Sequence, residues 1–127
     1  MEFSKTLALV AAAALLLLAS SERPWNAAAQ APPSGPSILA GHIGADGSIL
    51  AGNGFTVSHF RTGGYLVTFT VPFVFTPVVV GTEENTGTNG QVVVESVSTT
   101  SVQLGTSNAS GSSVDSIFHF IVAGIPG

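Results

Sequence analysis

The sequence predicts an all-β fold: a small β-sandwich or jelly-roll-like domain of about seven antiparallel strands following a signal peptide. Two observations predict it. From Ile38 onward, short runs rich in Val, Ile, Phe and Thr alternate with Gly, Asn and Ser clusters. No run sustains a helical period of apolar residues.

The first 29 residues have a different character. Lys5 precedes an apolar run from Leu7 to Ala19, a polar break follows at Ser20 to Arg23, and Ala27-Ala28-Ala29 supplies small residues for cleavage. These are the three parts of a secretion signal. The 13-residue run falls short of the roughly 20 residues of a bilayer span, so no membrane span is expected in the mature form. Cleavage is placed between Ala29 and Gln30, because a cut after Ala31 would set Pro32 directly behind the scissile bond. Residues 30 to 37 hold three prolines and no large apolar side chain, which is the composition of an extended linker. The expected organisation is therefore a signal peptide over 1–29, a linker over 30–37 and one β domain over 38–127. The Ala-rich leader and its Ala-Gln-Ala region have a bacterial character. The expected location is secreted, periplasmic or at the cell surface.

A weak strand is expected over Ile38 to Ile43. Phe55 to His59 and Tyr65 to Val71 alternate clearly, the second placing Tyr65, Val67, Phe69 and Val71 on a core face. Arg61-Thr62-Gly63-Gly64 between them supplies turn residues, so 55 to 71 is expected to form a hairpin. Pro72 and Pro77 remove two backbone donors around Phe73-Val74-Phe75-Thr76, which suits a corner between two sheets better than a central strand. Val78-Val79-Val80 is apolar on both faces, the pattern of a strand covered on both sides. Strands at Gln91 to Val97 and Ser101 to Thr106, joined by Ser98-Thr99-Thr100, precede a last strand at Ile117 to Ala123. That strand sets Phe118, Phe120 and Val122 against Ile117, His119 and Ile121.

After cleavage the chain keeps one basic residue, Arg61, against Asp46, Glu83, Glu84, Glu95 and Asp115. So few cations exclude nucleic acid as a partner, and there is no polybasic cluster for an anionic lipid surface. Cysteine is absent, leaving neither disulfides nor thiolate metal sites. About 98 residues suffice for one core that buries roughly two thirds of the unfolded surface. Exposed strand edges are normally blunted by charge, and this chain has almost none to place. Coverage by further copies of the chain in a closed homo-oligomer is the expectation.

The ordered segments Gly52-Asn53-Gly54-Phe55-Thr56-Val57, Gly64-Tyr65-Leu66-Val67-Thr68-Phe69, Phe75-Thr76-Pro77-Val78-Val79-Val80 and Ser96-Val97-Ser98-Thr99-Thr100, ending in Val114-Asp115-Ser116-Ile117-Phe118-His119-Phe120-Ile121, together form a pattern. It resembles small exported bacterial β-sandwich domains of unassigned function, also found at the ends of collagen-like and phage tail-fibre-like proteins. The resemblance covers roughly residues 41 to 124. It implies a trimer-prone sandwich, loosely similar to the jelly rolls of complement-type and tumour-necrosis-type heads, that serves in assembly or surface contact and carries no catalytic residue to transfer. No Gly-X-Y stalk precedes the domain here.

No catalytic, cofactor-binding or metal-binding residue is assigned from the sequence. His42, His59 and His119 are the residue type of a three-imidazole zinc site, but they fall on separate strands without i, i+2 or i, i+4 spacing, so hydrogen-bonded histidines are expected instead. A triad of Asp115 with His59 or His119 and a serine lacks any elbow motif to present a nucleophile. Ser98, Ser110, Ser112 and Ser113 sit in turns, where hydroxyls cap backbone groups. Glu83 and Glu84, being adjacent, diverge and do not make a glycosidase pair, and with Asn85 they lack the repeated acid spacing of a calcium loop. Asp115, between a Gly-Ser-Ser turn and the last strand, is expected to accept backbone N–H bonds, and Arg61 to cap the hairpin, the alternative being a pairing with an acid across an interface. The functional expectation is a self-associating, non-catalytic structural or interaction module, with the trimer favoured. The alternative is a carbohydrate- or ligand-binding, lectin-like domain that engages a surface glycan or protein through Asp46 to Gly54, Glu83 to Gly90 and Asn108 to Asp115. Asn108-Ala109-Ser110 is a glycosylation sequon that acts only in a eukaryotic secretory pathway.

Overall fold

The computed structural model describes residues 35–84, 87 and 89–127. The expected signal peptide, its expected cleavage point at Ala29 and Gln30, and most of the expected linker lie outside the described residues. Eight strands follow in order: β1 (Ser37–Ile43), β2 (Ile49–Gly52), β3 (Phe55–Arg61), β4 (Gly64–Phe69), β5 (Val78–Glu83), β6 (Gln91–Val97), β7 (Ser101–Ser107) and β8 (Phe118–Gly124). They form two four-stranded sheets, ordered β2-β1-β8-β5 and β3-β4-β7-β6, with every pairing antiparallel. Among the described residues there is no helix, so none long and apolar enough to cross a membrane.

The expected hairpin is β3–β4, closed by Thr62 and Gly63 between the paired Arg61 and Gly64. Gly63 has φ of 66°, in the left-handed region that glycine enters without steric cost. The β6–β7 turn is fastened by the Ser98 hydroxyl oxygen, which accepts the N–H groups of Thr100 and Ser101 at 3.2 and 3.1 Å. Residues 70–77 carry the chain from the second sheet to the first, as the bracketing prolines predict.

The core lies between the sheets. Ile43, Phe118, Phe120 and Val122 from one meet Phe55, Tyr65, Val67, Phe69, Val102 and Leu104 from the other. Rings interlock across the gap: Phe55 meets Phe120 edge-on at 5.1 Å, and Tyr65 lies 4.8 Å from Phe118. Register explains how Phe120 fits, because it is paired with Gly41 on one side and Gly81 on the other. The Phe120 and Phe55 rings fill the space a side chain at Gly41 would take, and Val92 from the facing sheet fills the space above Gly81.

The structure corrects the sequence-based expectation in three places. β2 is an additional strand; its four residues are all exposed, so no apolar alternation marked it. The alternating face of β4 ends at Phe69, and Val71, expected in the core, is 52% exposed where the chain turns toward Pro72. Val78 and Val80, expected to be covered, point outward and are 69% and 58% exposed, while Val79 between them packs inward.

Outside the second sheet, edge strands β3 and β6 are tied by an ion pair that passes over two glycines. Arg61 Nη2 donates to both carboxylate oxygens of Glu95 at 2.5 and 2.7 Å. Gly64 and Gly105, paired in the intervening strands, lie beneath the two side chains and leave them room. A bulge between Val94 and Ser96 turns Glu95 toward the arginine, and Gln103 donates a third hydrogen bond to it. Arg61 and then Gln103 hold the Glu95 carboxyl below its ordinary range. Arg61 is thus a tie across the sheet, and its Nη1 also donates to the Thr62 carbonyl of the hairpin turn at 3.4 Å.

Candidate functional site

Two histidine–carboxylate groupings emerge, one on each sheet. On the outer face of the first sheet, antiparallel pairing sets His42 of β1 directly opposite His119 of β8, with Thr82 of β5 opposite His119 on its other side. The two imidazoles stack with centroids 4.1 Å apart and planes 15° from parallel. Glu84 lies just beyond β5, where its N–H donates to the Ile117 carbonyl at 2.9 Å and so extends the ladder. Side-chain alternation places Glu84 on the same face as Thr82. Its Oε2 lies 2.7 Å from His42 Nε2 and 3.5 Å from His119 Nε2. One ligand atom from each of the three residues lies within 4.8 Å of the other two.

The sequence gives no local spacing for this cluster because its members come from three strands, joined by register alone. Two of the three histidines weighed for a metal are thus together; His59 is on the other sheet. Glu83 alternates away from Glu84, as expected of neighbours on a strand. Asn85 lies outside the described residues.

The rest of that outer face is apolar. Ile38, Ala123 and Val78 form one row across β1, β8 and β5, and Ala40, Ile121 and Val80 form the next. Ile38 is 75% exposed and Ile121 45%. Val74, Phe75 and Ile125, also exposed, adjoin the end of the sheet, where Val74 N–H donates to the Ile125 carbonyl. No charged residue stands in either row.

The second grouping joins the hairpin turn to the approach of β8. Asp115 Oδ1 accepts the Gly63 N–H at 2.6 Å and lies 2.8 Å from His59 Nε2. The expected structural role of Asp115 is realised, with an amide contributed by a turn 52 residues away. His59 stacks on Tyr65 at 4.8 Å. Tyr65 is fully buried and donates its hydroxyl to the Ala45 carbonyl at 2.7 Å. Burial pushes the Tyr65 phenol up, and the nearby Asp115 charge adds to this. This is the acid–histidine half of the triad considered from sequence. The serines named with it serve local structure: Ser98 fastens its turn, and Ser110 Oγ donates to Asn108 Oδ1 at 2.8 Å. Asn108 Oδ1 also accepts the N–H groups of Ser110 and Ser112, so the sequon asparagine is the organiser of its own turn.

The Gly63 N–H, followed by His59, holds the Asp115 carboxyl below its ordinary range. A carboxyl depressed in the folded state contributes stability above its unfolded pKa, and that contribution is lost as pH falls through the folded value. Asp115→Asn should therefore cost about 1 kcal/mol near pH 6, the low end for a bond to a charged group because the side chain is partly solvated. The difference from the native protein should shrink as pH falls through the folded-state value, which lies below the ordinary carboxylate range. Urea midpoints measured from pH 6 to pH 2.5 check both the size and the direction.

No family model, no curated protein and no solved structure matches the chain. The fold and the site define an antiparallel β-sandwich with one apolar outer face that ends in a histidine–carboxylate cluster.

Proposed function

We propose that the protein is an exported, non-catalytic structural module that associates with further copies of itself through the outer face of the β2-β1-β8-β5 sheet, in a closed ring for which the trimer is favoured. The observation that carries this is the uncharged apolar surface of Ile38, Ala40, Val78, Val80 and Ile121 on three adjacent strands. Contiguous apolar surface of this kind is costly to leave in water and marks contact sites. A second copy suits it because neither row has a charge requiring an opposite charge on the partner, and closed symmetry lets one patch serve every subunit. The leader pattern at residues 1–29 supports export, and without cysteine the domain stands on its core alone.

Light scattering coupled to size exclusion tests this. The native protein should run as a single oligomer, and Ile121→Lys should run as a monomer with an unchanged far-ultraviolet spectrum. A native protein that remains a monodisperse monomer at high micromolar concentration would overturn the assembly reading.

A further inference from the structure

We infer that His42, His119 and Glu84 form a binding site for one divalent transition ion of the zinc class. Both imidazoles direct Nε2 toward the same carboxylate oxygen, at 2.7 and 3.5 Å, so three ligand atoms converge on one point of the sheet surface. In a tetrahedral zinc site with bonds of about 2.0–2.1 Å, neighbouring ligand atoms stand roughly 3.3 Å apart. The two observed nitrogen–oxygen separations bracket that value and all three ligand atoms lie within 4.8 Å of one another, so small side-chain rotations let an ion sit among them. The backbone beneath is held by ladders on both sides of β8, which fixes the histidine pair before any ion arrives.

The donor set decides the class of ion. Two imidazoles and one carboxylate suit zinc, copper or nickel, whereas calcium takes six to eight oxygens and has little use for nitrogen. With three protein ligands, the fourth position stays open to solvent on the outer face, where the His119 and Glu84 side chains are each 46% exposed. The site does not depend on self-association, and each can fail without the other.

Isothermal titration of the chelator-stripped protein with zinc chloride should give one ion per chain. His119→Ala and Glu84→Gln should each weaken affinity at least about tenfold. His59→Ala, which alters a histidine on the other sheet, should leave the zinc affinity unchanged. Cobalt(II) in place of zinc should show the strong visible absorption of a four-coordinate ion, and millimolar calcium should not displace it. Clearly less than one zinc per chain, an affinity unmoved by His119→Ala, or loss of the cobalt spectrum to calcium would each overturn the site. Should His119→Ala fail to fold, Glu84→Gln decides, because Glu84 lies beyond the end of its strand and outside the core.

Discussion

Phe120→Ala is expected to lower the unfolding free energy by about 4–5 kcal/mol, the upper end of what a buried phenylalanine truncation costs. The ring is 1% exposed and meets Phe55 across the core. The cost runs high because the cavity is poorly placed to collapse. Its neighbours in register, Gly41 and Gly81, have no side chains to move into it, and their backbones are held by the ladders. A domain of this size loses several degrees of melting temperature per kcal/mol, so the midpoint should fall by roughly 15–30 °C. Scanning calorimetry measures this, and a fall of less than a few degrees would mean that the ring is not the keystone its burial indicates.

The converse substitution, Gly41→Val, should cost about 3 kcal/mol by overpacking. A Cβ at Gly41 would lie within 2.7 Å of ring carbons on both Phe120 and Phe55. Gly41 does not have a left-handed φ, so steric conflict and not backbone strain sets the penalty. The space is shared between Gly41 and Phe120, and shared space predicts coupling. Gly41→Ala combined with Phe120→Leu should therefore be more stable than the sum of the single losses implies. Chemical denaturation of the two single variants and the double variant closes the cycle, and strict additivity would show that the ring does not lean on the glycine.

The strands that periodicity marks clearly, β3 and β4, are those whose two faces differ sharply in environment. Tyr65, Val67 and Phe69 alternate with Leu66 and Thr68 because one face meets a core and the other meets water. β2 escaped notice because Ile49, Leu50, Ala51 and Gly52 are all exposed on a short edge strand, so no difference between faces is imprinted on them. Val78-Val79-Val80 misled in the opposite sense. An apolar run fixes which side chains avoid water, not what covers them, and within the described domain only Val79 faces the core. The histidine cluster was beyond local inspection for a different reason: His42 and His119 become neighbours only once β1 is known to pair with β8 in a register that sets Ile43 opposite Phe118. Asp115 was legible in its role, since a carboxylate at the approach to a strand has backbone donors nearby, but its donor Gly63 was not.

The ion pair drawn over Gly64 and Gly105 bears on how copies of this domain find each other. Arg61 is the only lysine or arginine among the described residues, and Glu95 holds it flat against the second sheet. The opposite outer face has no fixed charge in its apolar rows. In the proposed assembly two copies would approach without attractive long-range steering, no faster than the unassisted rate of about 10⁵–10⁶ M⁻¹s⁻¹. At nanomolar concentrations such encounters take minutes to hours, whereas at micromolar concentrations they take seconds. On the proposed self-association, assembly is thus timed by crowding: chains held side by side close their ring promptly, and chains diluted first remain single for long periods.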